Sequence, residues 1–317
     1  MLNDPKKTKD EIVQWIRDYF EENGPECSAV IGISGGKDST IVAALCVEAL
    51  GKDRVFGVMM PNGVQSDIKD SIQVVKALGI PSTTVNISGA YSKLMAAVGA
   101  GLKNGTSEQT KVNLPPRLRM ATLYAVAQSL PSGGRVVNTC NMSEDFVGYS
   151  TKFGDSAGDF SPLANLMVHE VRQIGYELPV PRELVDKTPA DGLCGKTDED
   201  NLGFTYAQLD SFIENGTCGI MSIDHTIQEM HRRNLHKLRP MPAFGKHKEN
   251  EAIDEPQYLC PVCGEEIDPD DIDLDGNEED GYGGMTAPCV CEHCGAELVA
   301  EYTCLDGYEF TGFKQGN

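Results

Sequence analysis

Ala29-Val30-Ile31-Gly32-Ile33-Ser34-Gly35-Gly36-Lys37-Asp38-Ser39-Thr40 decides the fold of this chain. The apolar run from Ala29 to Ile33 reads as a buried strand. A Ser-Gly-Gly turn follows, and Thr40 to Leu50 carries apolar residues at helical spacing. A glycine-rich turn between a strand and a helix start lets backbone approach a ligand closely, and the free N–H groups of the helix start attract phosphate.

The loop departs from the ordinary nucleoside triphosphatase pattern. That pattern needs a second glycine five residues before the Gly-Lys pair and a Ser or Thr after the lysine. Here Ile31 holds the first place and Asp38 follows Lys37. A carboxylate beside phosphates is repulsive unless a divalent cation lies between them. The Ser-Gly-Gly-x-Asp-Ser pattern resembles the pyrophosphate-binding loop of the ATP pyrophosphatases. That resemblance implies that Ser34, Gly36, Ser39 and the loop amides hold pyrophosphate, that Gly32, Gly35 and Lys37 also belong to the ATP-binding loop, and that Asp38 holds magnesium.

Around the loop, apolar runs alternate with helical patterns. Strands are expected at Ala29–Ile33, Arg54–Met59, Thr83–Ile87 and Arg135–Thr139, with helices such as Ser66–Leu78 and Leu118–Leu130 between them. This order predicts an α/β fold, a doubly wound parallel sheet with flanking helices. Thr8-Lys9-Asp10-Glu11 reads as a capping box opening an N-terminal helix, with Ile12, Ile16, Tyr19 and Phe20 on one side. Tyr149 to Asn201 reads as irregular with short helical pieces, and helices return at Thr205–Asn215 and Asp224–Lys237.

The chain has 317 residues and a net charge of −21, a balance that argues against nucleic acid as the main partner. No uncharged run suits a bilayer, and the N-terminus has no signal-peptide core, so a cytoplasmic protein is expected. The composition changes near residue 248. The expected domains are residues 1–248 and, after an acidic linker, a small ribbon within 249–317.

That tail holds two paired knuckles, Cys260-Pro261-Val262-Cys263-Gly264 and Cys291-Glu292-His293-Cys294-Gly295. Their spacing lets four thiolates meet at one tetrahedral structural zinc. Cys289 and Cys304 are spare thiols that could replace a ligand. Asp271 to Gly276 starts like a calcium loop, but Tyr282 stands where the bidentate glutamate belongs, so an acidic hairpin loop is expected.

The middle of the chain carries Asn113-Leu114-Pro115-Pro116-Arg117-Leu118-Arg119-Met120, Asn141-Met142-Ser143-Glu144, Thr151-Lys152-Phe153-Gly154-Asp155 and Lys196-Thr197-Asp198-Glu199. Leu202-Gly203, Tyr206 and His236-Lys237 follow. In this order, with the loop, they resemble the ammonia-using NAD synthetase family over roughly residues 8 to 245. The resemblance implies adenylation of the deamido-NAD carboxylate by ATP, then attack by ammonia, with loss of AMP and pyrophosphate. It implies that Asp38 and Glu144 carry magnesium, that Arg119 and Thr139 lie on the ATP side, and that Arg117, Tyr124, Lys152, Asp155, Asp159, His236 and Lys237 lie on the substrate side. It also implies a homodimer. The family often has a lysine where Val168 stands, and Thr188-Pro189-Ala190-Asp191 departs from its usual Pro-Thr-Ala-Asp. Lys37, Lys187 and Lys196 are the candidates to supply that charge, and Lys196 is favoured as a catalytic residue. No glutamine-hydrolysing domain is read, so ammonia is the expected nitrogen source. The weighed alternative is a tRNA-modifying ATP pyrophosphatase using Cys140.

Overall fold

Along the first strand, odd and even residues feed two different cores, and that alternation organises the larger part of the molecule. The structure is a computed structural model. It describes residues 1–65, 68–187, 197–242, 262–263, 267, 278–279, 284–303 and 309–315. The chain divides into two units, Met1–Pro240 and Met241–Asn317.

In the first unit the order is α1 (Pro5–Asn23), β1 (Ser28–Gly32), α2 (Lys37–Leu50), β2 (Val55–Met59), α3 (Ile68–Leu78), β3 (Ser82–Thr84), α4 (Ser88–Gly101), α5 (Glu108–Ser129) and β4 (Gly134–Val136). Then come α6 (Met142–Phe146), α7 (Val168–Tyr176), α8 (Arg182–Val185), α9 (Asp198–Leu202), α10 (Tyr206–Asn215) and α11 (Met221–Leu238). The four strands are parallel, ordered β3-β2-β1-β4. Ala29 and Ile31 of β1, with Val55 and Met59 of β2, join a core shared with α1, α2, α7 and α8. Val30, Val58 and Val136 join another with Ala127 and Leu123 of α5. Both faces of the sheet are therefore covered, which makes it doubly wound. Burial of Ile41 and Leu45 of α2 contributes about 1.5–3 kcal/mol for each side chain.

The chain runs outward from β1 to β3, then returns through α4 and α5 to pair β4 with the other side of β1. The strand order reverses between β1 and β4, and ligands of such sheets bind there, beyond the carboxyl ends of the strands.

Three expectations need correction. The first helix does not open on a box at Thr8: it starts at Pro5, with the Asp4 side chain accepting from the Lys7 N–H. Proline at the first helical position loses no hydrogen bond. The helix expected at Leu118–Leu130 starts ten residues earlier, at Glu108, capped by Ser107, and runs through Pro115 and Pro116. The strand expected at Thr83–Ile87 is Ser82–Thr84, although Val85 and Ile87 still donate to Met59 and Pro61.

The second unit holds an antiparallel sheet, β5 (Glu278–Glu279), β6 (Gly284–Val290), β7 (Glu297–Thr303) and β8 (Glu309–Gln315), in that order. Its buried cluster among the described residues is Ile267, Ala287, Cys289, Cys291, Leu298 and Ala300.

Candidate active site

Past the end of β1 the chain makes its Ser-Gly-Gly turn, and α2 begins at Lys37 with Gly36 as a cap that supplies no side-chain bond. Ser34 fills that role from outside the helix: its Oγ accepts from the Gly36 N–H at 3.2 Å and lies 3.0 Å from Ser39 Oγ. Gly35 has a left-handed backbone, φ +79°, and a Cβ there would lie 2.7 Å from both Asp70 Cβ and Ser71 N. The start of α3 therefore presses directly on the loop. Lys187 ties the two together, donating to the Gly35 carbonyl at 3.1 Å and to the Asp70 carboxylate.

On the other side of the switch point, the segment after β4 delivers Thr139 and then α6. Asn141, fully buried, is the cap of α6: its Oδ1 accepts from the Glu144 N–H at 3.1 Å. The same side chain donates to Asp38 Oδ1 at 3.4 Å, so one residue holds the Asp38 carboxylate and caps the helix that carries Glu144. Burial, and then the charge of Asp38, push the Glu144 carboxyl up to about 8, against the opposing pull of Lys37. Asp198, at the start of α9 and 8% exposed, adds a third negative charge nearby. Lys37 does not point out to solvent. It is 2% exposed, donates to Asp38 Oδ2 at 2.7 Å and Oδ1 at 3.0 Å, and lies 5.9 Å from the centroid of the Tyr206 ring. The Tyr206 hydroxyl is buried without a hydrogen-bond partner, and burial raises its pKa ahead of the charges of Glu144, Asp198 and Asp38.

Ser34, Lys37, Asp38, Glu144, Lys187 and Asp198 line a cleft of ≈ 600 Å³. Gly32, Ser34, Gly36, Lys37, Asp38, Arg119, Thr139, Glu144, Asp155 and Lys237 all face it. Gly35 and Ser39 support the loop from behind. Arg117, Lys152 and His236 join at the rim instead: Arg117 Nε donates to the Lys152 carbonyl at 3.3 Å, and Lys152 Nζ to the His236 carbonyl. Lys237 binds the carbonyls of Gly148 and Ser150 at 2.6 and 3.1 Å. Tyr124 and Asp159 meet each other away from the cleft lining: Tyr124 donates to Asp159 Oδ1 at 3.1 Å, and Asp159 Oδ2 accepts from the Val136 N–H at 2.7 Å. Val168, 2% exposed, packs in a cluster that includes Tyr206. Lys196 and Thr188 to Asp191 lie outside the described residues.

Sequence reasoning passed over Asn141 as a positioning group and Lys187 as a tie. An Asn before a short acidic helix is a cap signal and could have marked the first. Nothing local marks the second, since Lys187 and Gly35 are 152 positions apart.

In the second unit the Sγ atoms of Cys263, Cys291 and Cys294 all lie within 4.8 Å of one another, with Cys263 and Cys291 3.7 Å apart. Cys291 is buried and the other two are exposed. Cys289 is buried on β6. Cys260, Cys304 and Asp271 to Gly276 lie outside the described residues.

A family model described as NAD synthase matches residues 8–251. The NH(3)-dependent NAD(+) synthetase of Pyrococcus furiosus is 38% identical over 205 residues, covering 64% of this chain and 77% of that one. The enzyme of the same name from Archaeoglobus fulgidus is 37% identical over 248 residues, covering 76% of this chain and 97% of that one. A solved structure of NMN synthetase from Francisella tularensis superposes with a TM-score of 0.70 at 34% identity, covering 77% of this chain and 99% of that one.

Proposed function

The chain belongs to the NAD synthase family, and from that premise we propose how its cleft works: it is a C–N ligase that turns deamido-NAD into NAD with ATP and ammonia, through an acyl adenylate, releasing AMP and pyrophosphate. The observation that carries this reading is the meeting of the helix-start loop with the Asp38 and Glu144 carboxylates at the strand-order reversal. The loop amides and Ser34 suit phosphate oxygens. Burial, and then the charge of Asp38, raise the pKa of Glu144, and hard carboxylate oxygens so placed suit magnesium. Held by Asp38 and Glu144, magnesium would neutralise charge on the phosphates.

Arg119 and Thr139 flank the loop where the nucleotide would extend. Asp155 and Lys237 in the lining, with Arg117, Lys152 and His236 at the rim, form the acceptor side, and Tyr124 and Asp159 support it through β4. A carboxylate is a poor acyl donor until its oxygen becomes a leaving group, and adenylation accomplishes that. The test is direct. Purified protein with ATP, magnesium, ammonium and deamido-NAD should form NAD, AMP and pyrophosphate in equal amounts, and glutamine should not replace ammonium. Failure to form NAD would overturn the reading. The likeness to NMN synthetase favours a second acceptor, nicotinic acid mononucleotide, which carries the same carboxylate. Competition between the two acceptors ranks them. The tRNA-modifying alternative is not favoured, because the relatives are NAD synthetases.

Three further features belong to this reading. A structural zinc is held in the second unit by Cys263, Cys291 and Cys294, with Cys260 as the fourth ligand; the clustering of three sulfurs supports it. The enzyme is a homodimer. In support, α4 has no buried residue although Leu94 and Val98 on it, and Leu102 and Val112 beyond it, are apolar and exposed. Exposed apolar side chains at the helical spacing of Leu94, Val98 and Leu102 suit an interface. The protein works in the cytoplasm; no helix among the described residues is long and apolar enough to cross a membrane.

A further inference from the structure

Among the described residues the cations that line the cleft are Lys37, Arg119, Lys187 and Lys237. Three of them hold the protein's own backbone. Arg119 Nε donates to the Met60 carbonyl at 3.1 Å. Lys187 holds the Gly35 carbonyl, and Lys237 those of Gly148 and Ser150. Lys37 is placed differently. Its two hydrogen bonds both go to one carboxylate, Asp38. An ammonium has three donors, so this pairing leaves a third. The Tyr206 ring backs the ammonium at 5.9 Å. Lys37 itself lines the cleft, whereas Tyr206 lies outside its lining with its hydroxyl buried and unpartnered, so that hydroxyl does not take the third donor.

We propose that Lys37 is a catalytic residue of the adenylation half-reaction, its ammonium binding the β-phosphoryl oxygens of ATP and stabilising pyrophosphate as it leaves. The proposal rests on the ATP-dependent reading above. In that step an oxygen of the acceptor carboxylate bonds to the α-phosphorus. The bond from that phosphorus to the α,β-bridging oxygen breaks, and its electron pair departs with pyrophosphate. No proton is transferred. What the step needs from a side chain is therefore fixed positive charge with N–H donors aimed at the leaving group. Lys37 provides both from the first residue of α2, directly after the Ser34–Gly36 loop. Val168, buried among apolar neighbours around Tyr206, provides neither.

The experiment compares the intact chain with Lys37→Met, Lys37→Gln and Lys37→Arg by titration calorimetry with magnesium and either inorganic pyrophosphate or AMP. It also measures pyrophosphate–ATP exchange dependent on deamido-NAD. Lys37→Met and Lys37→Gln should weaken pyrophosphate binding about tenfold or more while AMP binding stays within about twofold. Exchange at saturating ATP should fall about a hundredfold, and Lys37→Arg should keep most of it. A merely structural lysine would lower both affinities together, and that result would overturn the proposal. So would neutral variants that bind pyrophosphate as the parent does. If the parent binds pyrophosphate but shows no exchange, the acceptor assignment fails, and the binding comparison still decides the role of Lys37.

Discussion

The two units reach fixed geometry by different means. The loop of the first unit is shaped by mass: α3 bears on Gly35, Ser34 bridges to Ser39, and behind them stands a continuous core from α1 to α8. The described cluster of the second unit is small and built partly of alanine and cysteine. A small domain whose core is of that kind commonly relies on metal for part of its stability. On the zinc reading proposed above, one chain keeps a catalytic site rigid by packing while a neighbouring module relies on a bound ion, and the two should then fail under different insults.

The largest expected effect tests the second half of that contrast. Structural zinc in comparable small modules is worth about 10–16 kcal/mol of apparent folding free energy. Stripping the metal with a chelator, or making Cys291→Ser, should abolish hydrogen-exchange protection of the β6–β7 amides while β1 and β2 keep theirs. Persistent protection of β6 and β7 without metal would show that packing suffices there too.

Next comes the carboxylate pair. Asp38→Ala and Glu144→Ala should each lower turnover by about a thousandfold, roughly 4 kcal/mol of barrier. Stability should move the other way for Glu144→Gln, because burial and Asp38 already oppose the native charge. A melting temperature that falls with turnover would mean that Glu144 is a structural acid.

Gly35→Ala probes packing directly, since its Cβ would meet α3 at 2.7 Å in a backbone region that L side chains avoid. A cost of about 1–3 kcal/mol in stability is expected, with a parallel loss of turnover. Denaturant titration beside kinetics checks both, and a neutral substitution would break the claim that mass shapes the loop.

Asp4→Ala should have the smallest effect, about 1 kcal/mol, the cost of losing the cap of α1. Turnover at saturating substrate should not change, and a drop in kcat would reveal a link from α1 to the cleft.

Much of this was legible in advance because it is local. The Ala29–Ile33 run and the turn after it place β1 to within a residue, and α2 starts three residues before the Thr40 expected. The motif at Asn141–Glu144 marks the facing acid. What was missed depends on contacts distant in sequence. The helix expected from Leu118 runs instead from Glu108 through Pro115 and Pro116, and Ser107 supplies a side-chain cap at its start. Pairs such as Lys187 with Gly35 leave no trace in spacing. Lys37 turns inward to pair with Asp38 under the Tyr206 ring, and that distant ring is not contained in a reading of the loop alone.

The last helix of the first unit has a practical consequence for where the chain tolerates severing. Asn234 donates to the Val147 carbonyl, Lys237 holds Gly148 and Ser150, and Gly148 has no room for a Cβ against Asn234. The end of α11 is thus a buttress for the segment that lines one side of the cleft. A protease cut after Pro240 spares every one of those bonds. A cut after Met230 removes them all and lets the 147–151 segment fall away from the wall it forms. Limited digestion should therefore yield a stable catalytic fragment ending close to residue 240, and shorter fragments should lose acceptor binding before they lose nucleotide binding.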